Sequence, residues 1–120
     1  MQLPDSLALT RLVAALNPLE QKTLLGFVLL LADNPSRVRD REWCAEHLLQ
    51  AATVAHGIDE APSLAALHTL GEWLRVRADL LLPTALSVFV RAAADLSERG
   101  IPLTPEAKQA AVLAYFATST

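Results

Sequence analysis

Few residues in this 120-residue chain are of a type and spacing that could do chemistry. Cys44 and His47 stand one helical turn apart, as two metal ligands would, or a thiol and its base. No Asp or Asn supports the pair and no glycine-rich elbow precedes it. With one cysteine in the chain, an internal disulfide and a multi-cysteine zinc site are both excluded. The expected role is a core cysteine beside a hydrogen-bonded core histidine. His68, Glu72, Arg75 and Asp79 recur at i, i+4, i+7 and i+11. His68 and Glu72 could share a metal across one turn, but a third ligand is missing, and a self-neutralising ladder on a helix surface explains all four. Arg91, Asp95 and Glu98 repeat the pattern.

Two groups of arginines point to contact instead of catalysis. Arg37, Arg39 and Arg41 alternate along one polar segment, where they could grip the phosphates of a polyanion. Asp40 and Glu42 interleave with them, no aromatic platform accompanies them, and the formal charge is −3, so nucleic acid is the weaker reading. Arg77 falls one turn beyond Trp73 on an apolar arc, an arrangement suited to an interface, although its stem could equally cover the edge of the core. A helix-turn-helix around residues 51–70 fails because its second helix would open with Asp59 and Glu60, which repel DNA. No P-loop, dinucleotide fingerprint or His-Glu-x-x-His is present, so the reading is non-enzymatic and calls for no cofactor and no metal.

The elements that must carry these residues are helical. Hydrophobic residues make up 52% of the chain and aromatics only 5%; the excess is leucine and alanine, both strong helix formers. Proline and glycine divide it into about six predicted helices within one all-α domain spanning residues 1–120. The first covers about Ser6 to Leu16. Asn17 then caps a second, with Pro18 at its first position and Glu20 closing a capping box, running to about Ala32. That helix is apolar nearly all round, broken only by a narrow strip of Lys22, Gly26 and Asp33, and is expected to be central. Arg37–Arg39 is expected as a linker or irregular turn. Helix three spans about Asp40 to His56, helix four Ser63 to Leu82, helix five Pro83 to Arg99, and helix six, capped by Thr104, runs from Pro105 to about Ala117. Three antiparallel hairpins packed as a compact bundle are the expected architecture. A Gly-Ile-x-x-x-Pro pattern at Gly57 and again at Gly100 is read as helix-stop chemistry and not as a repeat.

The run Leu24–Ala32 is too short to span a bilayer, which takes ~20 apolar residues, and the opening Met-Gln-Leu-Pro-Asp does not read as a signal peptide. A cytoplasmic protein is therefore expected. So small a domain cannot bury all of its apolar surplus, and the remainder is expected to meet another chain, first of all a second copy of itself. In helix six, Ala107, Ala110, Ala111 and Ala114 form a small-residue face suited to packing on the bundle. Val112, Leu113, Tyr115 and Phe116 are then the residues expected at a protein interface, with Trp73 and Arg77 as a second edge. The sequence predicts a small adaptor, chaperone-like or inhibitor protein; the alternative is a nucleic-acid-associated regulator using Arg37, Arg39 and Arg41.

Overall fold

The computed structural model describes residues 6–58 and 60–119. Asp59 and the opening pentapeptide, on which two of the sequence arguments touch, lie outside the described residues. Five α-helices follow one another: α1 (Ser6–Ala14), α2 (Pro18–Asp33), α3 (Arg41–Ala55), α4 (Leu64–Glu98) and α5 (Pro105–Ser119), with a short 3-10 helix (Pro35–Arg39) between α2 and α3. No strand occurs among the described residues.

Local chemistry sets most of these boundaries. The Asn17 side chain accepts from the Glu20 backbone amide (2.8 Å) while the Glu20 carboxylate accepts from the Asn17 amide (3.1 Å), closing the capping box. Asp40, Ser63 and Thr104 cap α3, α4 and α5 through their side-chain oxygens. At both Gly-Ile turns the glycine takes a left-handed φ, +79° at Gly57 and +70° at Gly100. The isoleucine amide then reaches back to the helix, Ile58 to Thr53 and Ile101 to Leu96, which is the Schellman pattern. The repeated motif is thus two helix stops with the same physics. At the end of α1 the Val13 carbonyl accepts from the Leu16 amide, and Gln21 from the next helix donates to the Val13 and Leu16 carbonyls.

The expected break before Pro83 does not occur. Helices four and five of the sequence reading are one 35-residue helix, α4. Proline removes one N–H and crowds the carbonyl four residues back, at a cost of roughly 3 kcal/mol in a helix interior. Leu81 and Val88 are fully buried on the same side of α4 as Leu70. Each such side chain contributes roughly 1.5–3 kcal/mol on burial, so keeping the register through the proline outweighs the penalty. Pro83 itself is exposed, and the neighbouring Thr84 hydroxyl donates to Leu80 O at 2.7 Å. Exchange of Pro83 for alanine restores the missing N–H and is expected to raise stability by roughly 1–3 kcal/mol, read as an increased urea midpoint. A fall would mean that the packing requires the proline.

A straight helix of this length would run about 52 Å, and the long axis of the molecule is 47 Å; α4 therefore traverses the whole structure. It is the one described helix long and apolar enough to cross a membrane by length and composition, yet its second half carries buried core residues from Leu81 to Leu96. The other helices arrange themselves along it. α2 packs on α3, α4 and α5, in keeping with its expected central place, and α3, α2 and α5 form a layer with α4 behind it. Gln109 donates to Asp33 at one end of the α2–α5 pair while Phe116 and Ala117 lie beside Pro18 and Gln21 at the other, so these helices are antiparallel. α1 packs against α4 and α5. The first of the three expected hairpins is consequently replaced by a contact with the end of the chain.

Candidate functional site

The chemistry-bearing residues are dispersed. Cys44 is buried, and its thiol donates to the Arg37 carbonyl (3.5 Å). His47 stacks on the Trp43 ring, centroids 3.9 Å apart, and its Nδ1 bonds to the Trp43 carbonyl (2.9 Å). A carbonyl only accepts, so Nδ1 carries the proton. Each member of the pair is thus held by backbone instead of by the other. Burial, with the Asp40 carboxylate nearby, pushes the Cys44 thiol above its ordinary range, away from the thiolate a nucleophile requires. Alkylation of Cys44 in the native chain is expected to be slow at neutral pH and fast in denaturant. Rapid native labelling would restore the catalytic reading. Among the described residues, no three of His, Cys, Asp and Glu gather as a metal site.

The charged ladders behave as surface pairs. Arg75 meets Glu72 at 3.2 Å with both side chains largely exposed, and Arg91 meets Asp95 at 3.2 Å. The arginines of the polar segment do not converge. Arg37 is tied to Asp40 (3.0 Å), while Arg39 and Arg41 flank a small hollow lined by Val38, Cys44, Leu82 and Leu86.

The Trp73–Arg77 edge is used within the chain. The guanidinium lies 4.9 Å from the Trp73 ring centroid, donates to the Trp73 carbonyl, and pairs with Glu20 at 3.4 Å. His56 meets the other side of Trp73 edge-on. Together they clip the middle of α4 to the start of α2 and the end of α3.

In α5, the four residues expected at an interface divide. Val112 is 0% exposed and Phe116 8%, so both belong to the core. Tyr115 is half-buried against it. Leu113 alone faces water, 50% exposed. The alanine face divides as well: Ala111 packs against the core and Ala107 is half-buried, Ala110 and Ala114 are exposed, and the most buried side carries Lys108, Val112 and Phe116. Lys108 is buried, with its ammonium 5.7 Å from the Phe89 ring centroid, a placement the sequence reading missed.

What the outer side of the three-helix layer presents is apolar. The outward line of α2 runs Lys22, Leu25, Gly26, Leu29 and Asp33, at the 0, +3, +4, +7, +11 spacing of a single helix line, with Lys22 and Asp33 exposed and the three between them half-buried. On one side a hollow of about 550 Å³ separates this line from α3 and is lined by Leu25, Gly26, Leu29 and Leu30 with Ala51 and Val54. On the other side a hollow of about 390 Å³ separates it from Leu113, Phe116 and Ala117 of α5. Lys22 and Leu25 line both, so the α2 line is a crest between two grooves. Gly26 keeps the floor low: a Cβ there would meet Ala51 Cβ at 3.5 Å. Val54, 66% exposed, and Leu113 stand on the two flanks. The polar strip seen in the sequence was the signal for this face, but its leucines were assigned to the interior.

Comparison with known protein families, with curated proteins and with solved structures gives no match to this chain.

Proposed function

We propose that this chain is a small non-enzymatic protein-interaction module, an adaptor, chaperone-like or inhibitor protein of the cytoplasm, and that the α2 crest with its two grooves is its contact surface. The observation carrying this reading is the crest itself: leucines at helix spacing, partly exposed, between grooves whose lining is apolar apart from Lys22, Gln21 and Gln50. In ordinary helix packing such a ridge enters a groove of another helix, and the grooves beside it receive that helix's side chains. An apolar surface of this extent has a free-energy gain from being covered. The residues offered for interaction accordingly shift from Val112, Tyr115, Phe116, Trp73 and Arg77 to Leu25, Leu29, Val54 and Leu113. For Arg37, Arg39 and Arg41 the polyanion reading loses support, because Arg37 is already neutralised by Asp40.

A photo-crosslinking amino acid placed at Leu25, and separately at exposed Arg75 on α4, tests the reading in the producing cell. The expected result is covalent adducts with polypeptide from position 25 and few from position 75. Equal yields, or none from position 25, would overturn it.

A further inference from the structure

The α2 crest is complementary to itself, and we propose that its occupant is the same crest on a second copy of this chain, packed antiparallel about a two-fold axis. This rests on the reading of the crest as a protein-contact surface and names the partner. When two α2 helices cross antiparallel at the level of Phe27 and Val28, in the C-terminal half of the helix, Lys22 lies opposite Asp33 of the partner subunit. Leu25 then lies opposite the partner's Leu30, and Gly26 opposite the partner's Leu29. The reciprocal contacts follow from the symmetry, as in any isologous interface. Two pairs in that register match directly, cation with carboxylate and leucine with leucine, and the partner's Leu29 lies over Gly26, whose own missing side chain would face Ala51 of α3. A parallel pairing would oppose lysine to lysine, aspartate to aspartate and glycine to glycine, giving repulsion at both ends and a void in the middle.

The order of these two charges along α2 favours the same geometry. Asp33 closes the helix, with no basic residue in its last turn, and Lys22 sits toward the start. At the C-terminal end that is the reverse of what the helix dipole favours, whereas the first turn already carries Glu20. An antiparallel neighbour corrects it, bringing a carboxylate to each N-terminal half and an ammonium to each C-terminal end. Both groups are available. Lys22 is exposed and has no ion pair among the described residues, and Asp33 is exposed with its Oδ1 accepting from Gln109.

The composition of the chain makes the test direct. It has two lysines, Lys22 and Lys108, and Lys108 is buried. Within one chain Lys22 and Asp33 are separated by about 16 Å of helix, too far for a carbodiimide to join them without a spacer. A Lys22–Asp33 amide recovered by mass spectrometry therefore joins two molecules. The expected results are a light-scattering mass of twice 12.9 kDa and that cross-linked peptide in the dimer band. Lys22→Glu and Asp33→Lys should each weaken dimerisation about tenfold or more, and the double variant should recover most of the loss, all with unchanged circular dichroism. A monomeric wild-type chain, single variants without effect, or a double variant no better than the singles would overturn the pairing. If the chain is monomeric yet a photo-crosslinker at Leu25 captures a different polypeptide, the self-pairing fails and the contact reading stands. If position 25 captures nothing, both fail.

Discussion

Exchange of Phe27 for alanine is expected to lower the stability of the domain by about 3–5 kcal/mol. Phe27 is fully buried on the inner side of α2, the helix that touches α3, α4 and α5, and its ring tilts against Trp43 with centroids 6.3 Å apart. Nothing near it can collapse into the space, because the neighbouring Leu24, Val28 and Leu31 are fully buried as well. The cost is therefore the lost transfer energy of the ring together with a cavity that stays open. A domain of this size holds only about 5–15 kcal/mol in total, so the urea midpoint should fall by about a fifth or more with the slope preserved. A shift below ~1 kcal/mol would mean that α2 is not the axis of the bundle.

Replacing Leu29 with glutamate is expected to have the opposite profile. Leu29 is also on α2, but on the crest, where the new carboxylate remains in water in the isolated chain. Leu29 is partly buried and packs against the core, so losing its methyl groups costs about 1–2 kcal/mol, less than the roughly 5–15 kcal/mol that holds such a domain folded. In a covered crest the same carboxylate would be desolvated among leucines with no cation beside it, and burying an unpaired charge costs several kcal/mol. The fold should survive and the association should weaken by two orders of magnitude or more. α5 supplies the matching contrast in two adjacent residues. Val112→Glu should unfold the domain because Val112 is fully enclosed, whereas Leu113→Glu should not, because Leu113 is half exposed.

The parts of this fold that were legible in the sequence are those decided within a few residues. Asn17, Pro18 and Glu20 specify a helix start by themselves, and Gly57 and Gly100 specify helix stops, because caps are local hydrogen-bond arrangements. Pro83 was misread for the same reason: its penalty is local, whereas the burial of Leu81, Val88 and Phe89 that overrides it is not. Trp73 and Arg77, expected at an interface edge, stack on each other within the chain, and Glu20, which completes the contact, belongs to another helix. α2 posed a different difficulty. It is apolar nearly all round, so periodicity cannot tell which leucines face outward; only the placement of α3 and α5 on either side leaves Leu25 and Leu29 on a crest. In α5 small and large apolar residues share the helix, and the side that packs carries Lys108 beside Val112 and Phe116, a buried cation against Phe89 that no local periodicity signals.

The most direct measurement is sedimentation of the fluorescently labelled chain in an extract of the cell that produces it, run beside Leu29→Glu with both folds verified by circular dichroism. Contact through the crest predicts that the wild-type chain sediments as a larger species, whether with itself or with another polypeptide, and that Leu29→Glu sediments as a folded monomer of about 12.9 kDa. Two folded chains sedimenting identically would contradict it.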